Sequence, residues 1–436
     1  MFFFFIFSFI QFAHAQDGDV TIVSIGKAEL AKDRIGLFIV HATDLNATQK
    51  VHADKVFNIV KNDIAFYKYH YDMVTDNLPS IALDYDQWST KQFRYVIYLS
   101  AQSAVGIYPK INYQIHDVAQ KKIIEQDSIQ MINFSRGFAH SISSALYKGF
   151  SGKDGIFSTR VLFVSDVLST PNKTRKELYI MDFDGEGVER LTDHNSIVIS
   201  PAFSPDNKSV LYSVITMKNK IQNVDLFIMD LATKKNKVIS SKPGINSGAI
   251  FSNSGDSIYL TLSYSGDSEI YEMRLSSGDL RKVTNHFADD VDPSISSDGQ
   301  LMGFLSTRPG PAMIYTLDPR GQEKDVKRIS FVGKFNATPR FNPQGTEMAF
   351  VSWVDNRFDV YRISRDGTQL VRLTKNFGSN EEPSYSKDGQ FLVFTSQRVL
   401  SKTKAIQNLY IMTRDGEILG SITNQFGNCL TPRWSN

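Results

Sequence analysis

Eight histidines, one cysteine and scattered carboxylates are the side chains of this 436-residue chain that could carry catalysis or hold a metal. A nucleophile needs a base within hydrogen-bond reach, and a metal needs ligands that converge from fixed spacings. Neither pattern is written here. The sequence has no Gly-x-Ser-x-Gly elbow, no His-Glu-x-x-His and no glycine-rich phosphate loop ending in Lys-Ser/Thr. The histidines stand singly: His140 falls in a helix-like stretch, while His194 and His286 each follow a short β run by two residues. Each reads as a structural or surface residue. Asp182, Asp184 and Glu186 resemble a fragment of a calcium loop, but Asp184-Gly185 after a strand is what a hairpin turn requires. Cys429 has no partner for an intrachain disulfide and reads as a small apolar side chain. No cofactor and no metal are expected.

With no catalytic set, attention moves to surfaces and to the elements that would hold them. The chain carries 48 basic and 46 acidic residues, a net charge of +2 that is too small to announce a nucleic-acid surface. At the N-terminus an apolar run from Phe2 to Phe12 stops at Ala13-His14-Ala15, the pattern of a cleavable export signal over residues 1–15. The run is shorter than the roughly 20 residues that span a bilayer. A soluble exported protein is expected.

Residues 16–150 mix strand-like and helix-like periods and are expected to form one α/β (α+β) domain. Val20–Ile25, Gly36–Val40, Phe93–Ser100 and Val105–Ile115 read as strands. Val56, Ile59, Val60 and Ile64 recur at helical spacing, as do Phe134, Phe138, Ile142 and Leu146. Gly149, Gly152 and Gly155 then mark a boundary.

From residue 151 to 436 the chain repeats. Thr192, Ser240, Thr284, Ser330, Thr374 and Thr423 each follow an aliphatic residue, and successive members are 48, 44, 46, 44 and 49 residues apart. Twelve residues after each stands Ser204, Ser252, Ser296, Asn342, Ser386 or Ser435, preceded by Phe203, Phe251, Ile295, Phe341, Tyr385 or Trp434. Four short β runs per period of about 45 residues are the signature of a β-propeller blade. Six units predict a six-bladed ring. The last unit ends after one innermost strand and the first begins without one, so the C-terminal strand is expected to pair with the first blade and remove two open edges. Pro201, Pro293, Pro339, Pro383 and Pro432 are expected at the start of the innermost strands.

Six loops should meet on one face of that ring: 193–200, 241–248, 285–292, 331–338, 375–382 and 424–431. Loops converging on one axis make a concave surface suited to a protrusion from a partner. Their content mixes Ile245, Asn246, Val291, Phe335 and Phe377 with Asp289, Asp290, Glu381 and Glu382.

The chain resembles the TolB family, the soluble periplasmic component of the Tol-Pal envelope system of Gram-negative bacteria. The resemblance rests on the six repeats and above all on the joint Phe134-Ser135-Arg136-Gly137-Phe138-Ala139-His140 through Gly152-x-x-Gly155-x-Phe157-x-Thr159-Arg160. It implies a non-enzymatic, monomeric adaptor that binds the outer-membrane lipoprotein Pal through the propeller loops, reaches membranes only through its partners and supports envelope integrity, cell division and protein import. By motif the contact falls on Ile245, Asn246, Gly248 and Val291, and the candidate set is completed on the same face by Asp292, Asn336, Thr338, Glu381 and Glu382. The segment Gln16–Lys27 is where the family engages the inner-membrane protein TolA. Two departures stand out: Ala249 replaces the family's proline, and Asn253-Ser254-Gly255-Asp256 replaces its Asp-Gly turn. The alternative is a propeller hydrolase or lyase acting through an axial histidine or metal.

Overall fold

The computed structural model describes residues 32–41, 44–75, 84–218, 220–401 and 404–436. The export signal, the strand expected at 20–25 and the whole segment assigned to TolA contact lie outside the described residues.

The first domain is a five-stranded sheet in the order β2-β1-β3-β4-β5, from β1 (Arg34–His41), β2 (Asp72–Val74), β3 (Phe93–Gln102), β4 (Lys110–Asp117) and β5 (Lys122–Gln130). β1 runs parallel to β2 and β3, and the remaining pairs are antiparallel. Helix α1 (Ala47–Phe66) begins at Asn46, which exchanges hydrogen bonds with Gln49 in a capping box. Helix α2 (Tyr85–Thr90) buries Trp88 against Phe38, Phe93 and Val96 on one face of the sheet. The stripe Val56, Val60 and Ile64 of α1 belongs to the same core as Ala139, Ile142 and Leu146 of α3 (Arg136–Ser151), together with Ile35, Leu37, Ile97 and Leu99 of the sheet. One expected strand is shorter than its apolar pattern: the run from Val105 becomes strand only at Lys110, since Gly106 takes a φ of 100° and Val105 and Ile107 face solvent.

α3 ends at Gly152, whose left-handed φ of 70° lets its N–H reach the Lys148 carbonyl. The propeller follows. Blade 1 contains β6 (Arg160–Ser165), β7 (Glu177–Asp182) and β8 (Glu189–Arg190). Blade 2 is β9 (Val198–Phe203), β10 (Ser209–Lys218), β11 (Ile221–Asp230) and β12 (Asn236–Ser240). Blade 3 is β13 (Asn246–Phe251), β14 (Ser257–Leu262), β15 (Glu269–Arg274) and β16 (Leu280–Lys282). Blade 4 is β17 (Asp290–Ile295), β18 (Met302–Ser306), β19 (Met313–Leu317) and β20 (Lys327–Arg328). Blade 5 is β21 (Asn336–Phe341), β22 (Glu347–Val354), β23 (Arg357–Ser364) and β24 (Val371–Arg372). Blade 6 is β25 (Ser379–Tyr385), β26 (Phe391–Ser401), β27 (Lys404–Thr413) and β28 (Ile418–Ser421). The last strand, β29 (Cys429–Trp434), returns to blade 1 and pairs with β6, Leu430 opposite Val164 and Trp434 opposite Val161. The ring is closed: β9, β13, β17, β21, β25 and β29 each touch the next, and β29 touches β9.

The prolines correct one expectation. Each sits inside its innermost strand, directly after a residue with left-handed φ: Ser200 (52°), Asp292 (56°), Thr338 (51°), Glu382 (56°) and Thr431 (50°), with Gly248 (61°) before Ala249 in blade 3. The pairing register slips at every one of these points. A bulge already interrupts the ladder there, so a residue without an N–H is tolerated in mid-strand.

The two domains share one core, which runs from Val60 and Ile64 through Tyr147 and Phe157 to Phe183, Phe391 and Trp434. Phe66 meets Phe391 and Phe183 edge-on, and the Tyr67 hydroxyl donates to Asp388 at 2.7 Å. Polar groups lock the same joint. Buried His140 donates from Nδ1 to Asp63 at 2.8 Å, and its Nε2 lies 3.7 Å from Asp182 of blade 1. Arg136 pairs with Asp182 at 3.0 Å and also with Asp184. Asp63, His140 and Asp184 present ligand atoms close enough to share an ion, but the Arg136 guanidinium already neutralises Asp184.

Burial alone would lower the His140 pKa, yet the flanking Asp182 and Asp63 raise it from 6.5 to about 9. Burial also pushes Asp63 upward, against the pull of His140. With carboxylates on both sides of one ring, the imidazole keeps the proton. Because the folded pKa is the higher one, this stabilisation is complete below pH 6.5 and is lost as pH rises through about 9. The melting temperature should therefore fall across that window, and His140→Gln should flatten the fall. An equal slope in both proteins, followed by circular dichroism, would remove His140 as the titrating lock.

Candidate functional site

The loops that lead from each outer strand to the next innermost strand are held from below by buried hydroxyls. Thr192 Oγ1 accepts from Leu178 N–H at 2.8 Å and donates to Glu177 at 2.6 Å. Thr284 does the same with Ile270 N–H (2.8 Å) and Glu269 (2.6 Å), and Thr374 with Val360 N–H (2.9 Å) and Asp359 (2.8 Å). The carboxylates then reach into the loops. Glu177 accepts from the backbone of His194 and Asn195, and Glu269 from that of His286. Burial opposes ionisation of both acids. In Glu177 the Thr192, Arg175 and backbone donors outweigh it and lower the pKa, whereas in Glu269 burial wins and raises it. The first repeat anchor of the sequence is thus a pin that fixes loop backbone.

Six residues after each anchor comes a second pin, fully buried in every blade: Val198, Asn246, Asp290, Asn336, Asn380 and Cys429. The candidates Asn246 and Asn336 belong to this set. Asn246 accepts from Ser240 Oγ at 2.6 Å and Lys242 N–H at 2.9 Å, and donates to the Val224 and Lys242 carbonyls, each at 2.8 Å. Asn336 donates to the Val332 carbonyl at 2.7 Å. Asp290 is held by Arg308 at 2.6 Å, although burial still raises its pKa.

Eight residues after the anchor lie the left-handed residues of the bulges, which gather Gly248, Asp292, Thr338 and Glu382 around the axis with Ser200 and Thr431. Gly248 approaches Asp292 closely, so that a Cβ there would lie 3.6 Å from the Asp292 backbone. Asp292 accepts from Arg340 at 2.8 Å, and Glu382 accepts from the Thr431 N–H. Burial raises the Glu382 pKa, and burial together with nearby Arg340 lowers that of Arg433 to about 10. Val291 and Glu381, one residue earlier on their strands, are half-buried, and burial raises the Glu381 pKa.

Of the nine candidates, only Ile245 is exposed to solvent. The structure adds two residues that the sequence reading did not single out, Phe287 at 80% exposure and Phe331 at 73%. Both follow an anchor by one to three residues, in loops whose backbone is pinned. Phe331 lies under Arg328 at 4.5 Å, and the Phe287 ring lies tilted against His286 with centroids 4.1 Å apart. Exposed aromatics on a rigid frame are a surface for a partner. A polar hollow of ≈ 380 Å³ beside Phe287 is lined by Ser265, Asp267, Glu269, Lys282 and His286. His286 Nδ1 accepts from the Ala288 N–H, and His194 Nε2 meets the Tyr212 hydroxyl at 3.1 Å.

Thr284→Val should cost about 1–3 kcal/mol, because Ile270 N–H and Glu269 would each lose a buried partner. Urea unfolding measures this, and hydrogen exchange should quicken in residues 285–289. Unchanged stability would show that the pin is dispensable.

A family profile described as the TolB beta propeller domain matches residues 147–436. The protein named "Protein TolB homolog" of Chlorobium luteolum is 31% identical over 183 residues, and its namesake in Chlorobium chlorochromatii is 31% identical over 173. These matches take in 42% and 40% of this chain but only 39% and 37% of the relatives, so the similarity spans about two fifths of their length. The crystal structure of TolB from Acinetobacter baumannii superposes with a TM-score of 0.76 at 26% identity, covering 93% of this chain and 97% of that one.

Proposed function

The chain belongs to the TolB β-propeller family, and on that premise we propose that it is a non-enzymatic periplasmic adaptor that binds Pal through the loop face of its propeller. The observation that carries this reading is the exposure of Phe287, Phe331, Phe335 and Ile245 on three successive loops whose buried pins leave them little freedom. Rigid apolar side chains lose little entropy on docking, which is how a surface of standard size, about 1,600 Å², reaches useful affinity.

Within this reading the nine candidates divide by role. Ile245, Val291 and Glu381 stand where a partner can touch them, while Asn246 and Asn336 hold the loops that present the contact. Gly248, Asp292, Thr338 and Glu382 shape the mouth of the axial channel. TolA would engage the N-terminal segment 16–27. Among the described residues no helix is long and apolar enough to cross a membrane, and on this reading Pal and TolA link the adaptor to the two membranes. Through them it would couple the inner and outer membranes and support envelope integrity and division.

Val291→Asp would place a charge at the centre of this face and should weaken Pal binding by about 2 kcal/mol or more. Leu370→Ser, an exposed position at the β23–β24 turn on the other side of the ring, should leave it unchanged. Calorimetry with the soluble domain of Pal tests both. Full affinity in a folded Val291→Asp protein contradicts the assignment of the face.

A further inference from the structure

In each blade, the hairpin between the second and third strands opens on the same face as the docking loops, because successive strands alternate direction. Three consecutive blades, 6, 1 and 2, carry hairpins unlike the rest. Strands β10 and β11 and strands β26 and β27 extend to 10 or 11 residues, against 5 to 8 for their counterparts in blades 3, 4 and 5. The repeat spacings of 48 and 49 residues come from these two insertions. Blade 1, between them, replaces a tight turn by the long connection 166–176.

Each of the three ends in an apolar pair turned to solvent. Met217 is 67% exposed and Ile221 72%, Val399 77% and Leu400 58%, and in blade 1 Val167 and Leu168 are exposed too. None of these side chains folds back on the ring. Cations stand beside them. Lys220 lies at the blade 2 tip, Lys173 and Lys176 on the blade 1 connection, and Arg398 next to Val399, its guanidinium 4.5 Å above the Phe377 ring. Among the described residues, none of these four forms an ion pair, whereas the neighbouring Arg175 and Lys218 are held by Glu177 and Asp225. The sequence from 391 to 413 contains no acid.

The other half of the ring behaves differently. In blade 4 Arg308 is neutralised by Asp290 and Glu323, and in blade 5 Arg357 and Arg372 share Asp359. Among the described residues, exposed apolar pairs at these hairpin tips are confined to blades 6, 1 and 2, and each has a cation without an ion pair nearby. Separate protruding tips offer no continuous groove for a folded partner, but exposed apolar side chains with cations nearby fit an anionic bilayer surface. Such tips can enter the boundary between headgroups and acyl chains while the ammonium groups stay among the phosphates.

We propose that the rim formed by the hairpins of blades 6, 1 and 2 is a peripheral contact for anionic phospholipid membranes, separate from the partner face at the axis. Each lysine near an anionic surface should multiply affinity by about five, and each apolar tip should add to it.

The test is sedimentation of the full chain with vesicles of phosphatidylethanolamine and phosphatidylglycerol, with pure phosphatidylcholine vesicles in parallel. Binding is expected to the anionic vesicles alone and should weaken as salt rises. Val399→Ser with Leu400→Ser, and separately Lys173→Gln with Lys176→Gln and Lys220→Gln, should each reduce it at least about tenfold. Pal affinity should be unchanged in both variants, which separates this proposal from the reading of the axial face. The proposal is overturned by absence of binding to the anionic vesicles, by binding insensitive to both variants, or by capture of a poly-glutamate peptide in preference to vesicles.

Discussion

A four-stranded blade has two apolar faces and cannot be stable by itself, so the whole propeller depends on one long-range event: β29 must find β6. The partners are 275 residues apart where Ser435 Oγ accepts from the Arg160 N–H at 2.9 Å. The same strand delivers Trp434, whose indole N–H donates to Thr159 at 2.7 Å and whose ring lies in the core shared by both domains. Closure of the ring and attachment of the first domain are thus one structural act. Without it, blade 1 would lack an inner strand and the axis would have no sixth wall.

Closure gives the ring two unequal faces. On one side Tyr67, Arg136 and Phe66 are committed to Asp388, Asp182 and Phe391, and the repeat hydroxyls Ser204, Ser296 and Ser386 turn inward to cap Asp206, Asp298 and Asp388. On the other side the buried acids and hydroxyls hold loop backbone and leave Phe287, Phe331 and Ile245 in water. Buried polar pairs of this kind add little net stability, because desolvation offsets most of their attraction. Their effect is to allow one loop arrangement, which is what a docking surface requires.

The ring was legible because its repeat is chemical as well as apolar. Anchors 12 residues apart appear in sequence since one hydroxyl must bridge the third and fourth strands while the next caps a turn. The domain before it was less legible for physical reasons. β5 is an edge strand, KIIEQDSIQ, with most of its residues exposed, so no burial alternation marks it. α2 is only six residues long and is betrayed by Trp88 alone. At the site, spacing located the loops but could not tell that Asn246, six residues after its anchor, is a buried pin while Phe331, one residue after its own, faces solvent, because residue type alone would suggest the reverse. The prolines misled in a similar way: an edge strand explains their tolerance, but only a bulge explains their place in the middle of it.

The central claim is that the closed ring offers its pinned loop face, and not its opposite face, to a periplasmic partner. Hydrogen–deuterium exchange of the chain with and without Pal measures this most directly. The account predicts new protection in residues 241–248, 285–292 and 331–338 and none in the turns 205–208, 297–300 and 387–390. Protection confined to those turns, or to the first domain, would contradict it.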